Sequence, residues 1–292
     1  MGFTKKNIRH IQALKQEYDQ LKKGKEVTLA KIDEAEQSEA VYNSNAIENS
    51  SLTLPETEKI LVALSVTRNI DLRAAFEAKN LATIMTYIRA HTPNQELTRD
   101  FILQLHVMLM SHINDSGSGR FRQVGEYVRI RTYVAPGPEK IEGMMAQILL
   151  HYSNAFTMDF LEKIAKFHLD FELIHPFSDG NGRIGRVLLN DQLHQLGFPS
   201  VIIRAKDKKL YYKAFSEYKE KNKTKPMETI LFLALSEALH KRIAYLNGDR
   251  IMSISEYADT EKKSLATLLN AARRQTIPAF REKGVWKIGS AT

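Results

Sequence analysis

The chain has 292 residues, 43% hydrophobic and 26% charged, with a formal net charge of +8 and no cysteine. That length can bury a full core, as one large domain or a domain with an appendage, and the lack of cysteine excludes a disulfide framework and any thiolate metal centre. The positive balance raises a nucleic-acid partner, but most lysines alternate with glutamates along helical patterns, the signature of a solvated surface, and only the C-terminal end is an exception.

Residues 8–23 carry Ile8, Ile11, Leu14, Tyr18 and Leu21 at the spacing of an amphipathic helix, closed by Gly24. Stretch 1–25 is charged throughout and lacks the apolar core of a signal peptide, so a cytoplasmic protein is expected. A second helix is predicted from about Thr28 to Asn49. Its end, Ser44-Asn45-Ala46-Ile47-Glu48-Asn49, puts Ser44 and Glu48 on one face. Asn49 has the look of a C-cap. Glu48 sits in the last turn, where the helix dipole disfavours a carboxylate unless a cation arrives from elsewhere.

Thr53-Leu54-Pro55-Glu56 opens a further helix. The pattern places helices at about 55–66, 71–90 and 98–112, the last capped by Thr98. His106 and His112 lie six apart and share no helix face, so no metal site is expected from them. After the Asp115–Gly119 loop, Tyr127 to Val134 alternates in the period of a strand, with Val128, Ile130, Thr132 and Val134 on one side and Tyr127, Arg129, Arg131 and Tyr133 on the other. Pro136 and Pro138 stop it.

Helices resume at about 139–154 and 158–174. Then comes Ile174-His175-Pro176-Phe177-Ser178-Asp179-Gly180-Asn181-Gly182-Arg183-Ile184-Gly185-Arg186. No helix interior holds such a Pro- and Gly-rich run, so it reads as helix, tight loop and helix, the second helix starting near Arg183. A helix N-terminus presents unpaired N–H groups and partial positive charge, which favour an anion. The glycines flanking Asn181 let backbone amides converge on one point. Arg183 and Arg186 share a helix face and suit phosphate oxygens. Asp179 is a hard ligand suited to Mg²⁺, and His175 titrates in the range needed to take a proton from a hydroxyl. Together these residues describe a nucleotide site that performs chemistry.

Beyond Gly197, a helix is expected over 208–221 and a core helix over 226–246, with Ile230, Leu233, Ala234 and Leu239 facing inward. Even the longest apolar block, Ile230 to Leu235, is far too short to cross a membrane, so no membrane partner is expected. Asn247-Gly248-Asp249 marks a boundary. Residues 253–288, with a cap at Ser255 and a Gly-Val-Trp-Lys-Ile ending, suggest a small helix-turn-helix or winged unit. Arg273, Arg274 and Arg281 make it basic, which leaves DNA binding and a packing role both open.

The string 175–186 resembles the motif of the Fic (filamentation induced by cAMP) family, His-x-Phe-x-Asp/Glu-Gly-Asn-Gly-Arg-x-x-Arg, at every specified position. The resemblance implies an all-α, Fic-type helical bundle with a small β-hairpin flap and a helix-turn-helix-like appendage. Its parts would be 1–95 with an inhibitory helix, 96–247 as the catalytic core and 248–292 as the small C-terminal unit. It implies transfer of AMP from ATP to a Ser, Thr or Tyr hydroxyl of a target protein, with His175 as the base, Asp179 on Mg²⁺, and Gly180, Asn181 and Gly182 binding phosphates. By the same likeness Arg183 meets the α/β-phosphates and Arg186 the γ-phosphate. The phosphorylating branch has Lys where this chain has Gly182, which argues against a kinase.

The hexad Ser44–Asn49 resembles the family's inhibitory motif, in which the Glu, here Glu48, pairs with the second motif arginine, here Arg186. The 127–134 segment resembles the flap that aligns a target segment by main-chain pairing, with Glu126, Tyr127, Val128 and Arg129 nearest the nucleotide. Tyr211-Tyr212 resembles a tyrosine pair beside the adenine, with Tyr211 stacking on the purine or, alternatively, serving as a core aromatic. Where some relatives carry an Asn for the base, Lys219 stands here, with Asn222 nearby. The rival readings are a DNA-associated regulator with a nucleotide-sensing site, removal of AMP from a target, and transfer of another group such as phosphocholine. Whether the chain forms a homodimer is left open.

Overall fold

The computed structural model describes residues 5–63, 71–91, 96–130 and 133–290. Residues 64–66 of the expected third helix and Arg131-Thr132 within the alternating segment lie outside the described residues.

Helices α1 (Lys5–Leu21), α2 (Glu26–Ile47), α3 (Leu54–Ala63), α4 (Leu72–His91) and α5 (Arg99–Met110) occupy the N-terminal third, close to the spans that periodicity predicts. Ile8, Ile11 and Tyr18 of the α1 stripe are buried, with Leu14 and Leu21 partly so, and Gly24 at φ +72 makes the turn into α2. Beyond α5 come strands β1 (Arg129–Ile130) and β2 (Tyr133–Val134), then α6 (Pro138–Ser153), α7 (Phe160–Ile174), α8 (Asn181–Gln195), α9 (Lys208–Lys221) and α10 (Lys225–Asn247).

Two apolar cores flank the α7–α8 pair. One gathers Leu81, Ile84, Ile102, Leu105 and Leu109 of α4 and α5 with Phe167, Phe171, Phe177 and Ile184. The other joins α1, α9 and α10 to Leu161, Ile164, Leu189 and Leu193. Helix α8 is therefore enclosed on all sides, and even its polar residues Asn181, Arg183, Arg186, Asp191 and Gln192 are buried.

Two details of these elements differ from expectation. The alternating segment is not one strand, because Arg129 pairs with Val134 and Ile130 with Tyr133 in an antiparallel hairpin. On α10, Leu231, Leu235 and Leu239 are buried while Ile230, Leu233 and Ala234 are only partly so. The cause is that α10 is covered on a second side, by the C-terminal unit, so a single-stripe reading picks the wrong edge.

That unit runs β3 (Arg250–Ser253), α11 (Ile254–Thr260), α12 (Leu265–Arg273), β4 (Ala279–Glu282) and β5 (Val285–Ser290), with sheet order β3-β5-β4, antiparallel throughout. Its cap is Ser253, not Ser255, in a capping box with Glu256. Ile254, Leu268, Ala272, Ala279 and Ile288 form its own small core. Arg281 does not contribute to a basic outer face, since it pairs with Glu237 of α10 at 2.6 Å, whereas Arg273 and Arg274 are exposed. No described helix is long and apolar enough to cross a membrane.

Candidate active site

Helix α7 stops because His175 takes left-handed angles (φ +52) and Pro176 follows. Its amide donates to the Phe171 carbonyl at 2.9 Å. Gly180, at φ +81, leads into α8, and a Cβ there would stand 2.8 Å from Leu109, so both conformation and space require glycine. Asn181 closes the loop on itself, for its Oδ1 accepts from the Phe177 amide and its Nδ2 donates to the Phe177 carbonyl, each at 2.8 Å. The Asn181 side chain is thus a brace, and what it offers a phosphate is its backbone N–H.

Beneath the loop, the Phe177 ring stacks on His106 with centroids 3.7 Å apart. The Gly119 amide donates to His106 Nδ1 at 3.1 Å, so Nε2 carries the proton and donates to the Asp179 carbonyl at 3.1 Å. Burial pushes the His106 pKa down to about 4, which keeps the ring neutral. His106 is in the core, as expected, yet it also fixes the carbonyl of Asp179.

The Asp179 carboxylate accepts from the Gly180 amide at 2.6 Å, Arg183 at 3.1 Å and Arg73 of α4 at 2.5 Å. Arg183 is buried and also pairs with Glu77 of α4 at 3.1 Å. Arg73 and Glu77 lie about a hundred residues from the loop, and no local sequence signal marks them. Among the described residues no three His, Cys, Asp or Glu side chains cluster around a metal-sized site. A cation at Asp179 would have one protein carboxylate and fill its other positions with phosphate oxygens and water, the donor set that Mg²⁺ prefers.

Glu48 reaches this hollow from the end of α2. Its Oε1 accepts from Arg186 Nη2 at 2.9 Å, while Arg186 Nε donates to Ser44 Oγ and Nη2 to the Ser44 carbonyl, both at 2.9 Å. A Cβ on Gly182 would lie 2.1 Å from Glu48 Oε1 and 3.1 Å from Arg186 Nη1. The carboxylate therefore occupies the space directly over the glycine turn. Arg186 Nη1 is buried there with no hydrogen-bond partner. Burial works against the Arg186 charge, but Glu48, Tyr211 and Glu172 more than offset it and its pKa rises. Glu172 is pushed up to about 8, by burial first and then by repulsion from Glu48. Asn49, at φ +66, ends the helix, and its Oδ1 accepts from Lys208 at 3.2 Å.

His175 is driven down to about 4, chiefly by burial, with the Glu172 carbonyl opposing. Its Nδ1 is buried. A residue that pattern reading passes over holds it in place. Arg122, buried, donates through Nε to the His175 carbonyl (2.9 Å), through Nη1 to the Glu126 carbonyl (2.8 Å) and through Nη2 to the Pro136 carbonyl (2.9 Å). One guanidinium thus ties both bases of the hairpin to the start of the loop.

In the hairpin, the Glu126 carboxylate is taken up by Arg120 at 2.7 and 2.8 Å and by the Gln123 amide at 2.7 Å, and these bonds hold its pKa down to about 2. Tyr127 is 64% exposed, Val128 accepts from the Ala135 amide at 3.0 Å, and Arg129 is exposed on β1. Tyr133 anchors β2 by donating to the Leu173 carbonyl at 3.0 Å, with Lys219 Nζ over its ring at 4.3 Å.

Tyr211 does not face the hollow as a stacking platform. It is 2% exposed, its hydroxyl meets His168 Nε2 at 2.7 Å and its ring packs edge-on against Phe215. Of its two alternatives, this geometry matches the core aromatic, because the one-sided apolar stripe of α9 places Tyr211 against α7. Tyr212 instead points to α2 and donates to the Ile47 carbonyl at 3.0 Å.

Residues 96–193 match the profile of the Fic/DOC family. A protein adenylyltransferase Fic from Culex quinquefasciatus is 31% identical over 176 residues, 59% of this chain and 35% of that protein. The chain spans about a third to a half of the length of the curated relatives it matches. Among solved structures, a Fic domain-containing signalling protein from Bacteroides thetaiotaomicron superposes with a TM-score of 0.75 at 25% identity, covering 82% of this chain and 97% of that one. A Fic family protein from Desulfovibrio desulfuricans, at 20% identity and a TM-score of 0.64, shares the fold over 100% of this chain and 98% of its own. The matched stretch runs from α5 through the loop into α8, and over those residues the chain is similar to the Fic/DOC family.

Proposed function

We propose that the protein is a protein adenylyltransferase that moves AMP from ATP to a target hydroxyl and is held off by Glu48. One observation carries the reading: a carboxylate borrowed from α2 sits over Gly182 and pairs with a buried arginine, as an anionic stand-in for a phosphate. A hollow that a carboxylate fills through charge and N–H donors is one that a polyphosphate tail can fill.

The chemistry balances as an in-line displacement. The target hydroxyl oxygen bonds to the α-phosphorus, the bond to the bridging oxygen of the β-phosphate breaks, and pyrophosphate leaves. The hydroxyl proton goes to His175. Its lowered pKa keeps the imidazole neutral at physiological pH and able to accept, and because Nδ1 is buried, Nε2 is the nitrogen a hydroxyl can reach. Arg183 and the amides of the glycine turn balance charge on the inner phosphates, and Arg186 Nη1 points to where the γ-phosphate would lie. Mg²⁺, held by Asp179, would offset the remaining phosphate charge. Arg73, now on Asp179, would then be free to turn toward solvent.

In this reading residues 1–95 supply the inhibitory helix and two residues behind Asp179, 96–247 the chemistry, and 248–292 a unit packed on α10. A target segment would pair along the hairpin edge near Tyr127 to Arg129. The DNA-associated alternative loses support because Arg281 faces inward.

The test is α-labelled ATP with Mg²⁺ and a cell lysate, comparing the natural chain with Glu48→Gly and with Glu48→Gly/His175→Ala. Label should enter protein strongly in the single variant and stay at background in the double. Equal labelling in all three would overturn the proposal.

A further inference from the structure

We infer that His168 and Tyr211 are positioning residues that hold Arg186 aimed into the phosphate hollow after Glu48 withdraws. The inference rests on the adenylyl-transfer reading and deepens it.

Arg186 has two kinds of neighbour. Ser44 and Glu48 belong to α2, and the proposed function requires Glu48 to leave. If they were its only restraints, a long side chain with about 2 kcal/mol of rotamer entropy would lose its aim whenever ATP arrived. Behind it, however, stands a chain of polar groups that does not involve α2.

His168, on α7, has Nδ1 3.1 Å from the Gly185 carbonyl and Nε2 2.7 Å from the Tyr211 hydroxyl. A carbonyl only accepts, so Nδ1 must carry the proton. Burial and the Arg186 charge lower the His168 pKa to about 3, so the ring is neutral and Nε2 is bare. Tyr211 therefore donates its single proton to His168, and the lone pairs on its oxygen are left for the Arg186 guanidinium, with which it interacts. Gly185 adjoins Arg186 in α8, so the relay grips the arginine at both its backbone and its head.

The surroundings hold this relay still. Phe215 packs edge-on against Tyr211 at 4.9 Å and lies 5.8 Å from the His168 ring. A Cβ at Gly185 would fall 2.5 Å from Glu172 and 3.1 Å from His168, so glycine is what lets α7 approach closely enough for the bond to Nδ1. His168, Tyr211 and Arg186 are all buried. Tyr211, with purine stacking and a core position as its two expected roles, thus acts from the core on the γ-phosphate end of the nucleotide.

The experiment compares Glu48→Gly with Glu48→Gly/Tyr211→Phe, measuring ATP and ADP affinity by calorimetry in the full chain with Mg²⁺. Removing the hydroxyl that interacts with the charged guanidinium should weaken ATP by about tenfold or more and leave ADP, which lacks the γ-phosphate, unchanged. A parallel loss for both nucleotides would show a packing role and overturn the inference, as would no loss for either. If the Glu48→Gly parent itself bound ATP no better than ADP, the γ-phosphate role of Arg186 would fall, and this inference with it. A second measurement needs no variant. Nitrogen NMR of His168 should show a protonated Nδ1 and a bare Nε2 across the neutral range, and the opposite tautomer would refute the relay.

Discussion

Among the carboxylates that α2 and its C-cap present to arginines, Glu39 and Glu48 make contacts that differ in kind. Glu39 is 5% exposed: it makes a buried pair with Arg204 and accepts from the Lys283 and Gly284 amides, each at 3.0 Å. Arg204 in turn donates to Glu237 at 2.7 Å. The turn between β4 and β5 is thereby seated on the middle of α2. Glu48 has a side chain 39% exposed and a single bond, to Arg186. A charge pair with no route back to water is costly to break from one side, whereas a carboxylate at the rim rehydrates as it leaves. The same helix therefore has a fixed middle and a releasable end, and the difference lies in solvation rather than residue type.

The sharpest test of that division is the chemistry it is meant to restrain. In a Glu48→Gly background, His175→Ala should lower labelling by about 10²–10⁴-fold, the usual cost of losing a positioned base. If the loss were slight, Glu48 would be guarding something other than a His175 reaction.

Next comes stability. Glu39→Ala should cost about 3–5 kcal/mol in urea unfolding, because it removes one of the two carboxylates that balance the buried Arg204 and the acceptor of two turn amides, while Glu48→Gly should cost less. Equal losses would erase the distinction between the two contacts. On ligand affinity the order reverses. Glu48→Gly should tighten ATP by about 5–150-fold, the ordinary range for a coupling between sites, and Arg186→Ala in the same chain should cancel the gain. Calorimetry reads both.

The smallest expected effects are in the pH dependence. His106, His175, His194 and His240 are lowered to about 4 and His168 to about 3, all mainly by burial. Between these values and 6.5 the unfolded chain binds more protons, so stability is full above pH 6.5 and is lost as pH falls toward 4. Glu172 has the opposite sign. Raised to about 8, it contributes stability below pH 4.5 that is lost as pH rises through 8. Repulsion from Glu48 is part of its shift, so Glu48→Gly should lower the Glu172 pKa, as carboxyl carbon NMR would show. An unmoved Glu172 would mean that Glu48 spends little time near Arg186.

Much of this protein was legible from residues close together along the chain. Helix spans follow from apolar spacing, and the loop from His175 to Arg186 follows from a proline, two glycines and a polar run that no helix interior accepts. The Ser44–Glu48 face and its need for a distant cation were readable too, since an acid in the last turn of a helix is unfavourable by itself. What the chain order could not reveal are the contacts that cross it. Arg73 and Glu77 stand behind Asp179 and Arg183, Arg122 ties the hairpin to the His175 carbonyl, and His168 passes through Tyr211 to Arg186. Each joins polar atoms brought together only when α4, α7, α8 and α9 pack, and burial then forces those atoms to find partners. Tyr211 shows the limit most plainly: its spacing marks a helix face, but whether that face meets a ligand or a neighbouring helix depends on what lies across from it, and only tertiary packing decides that.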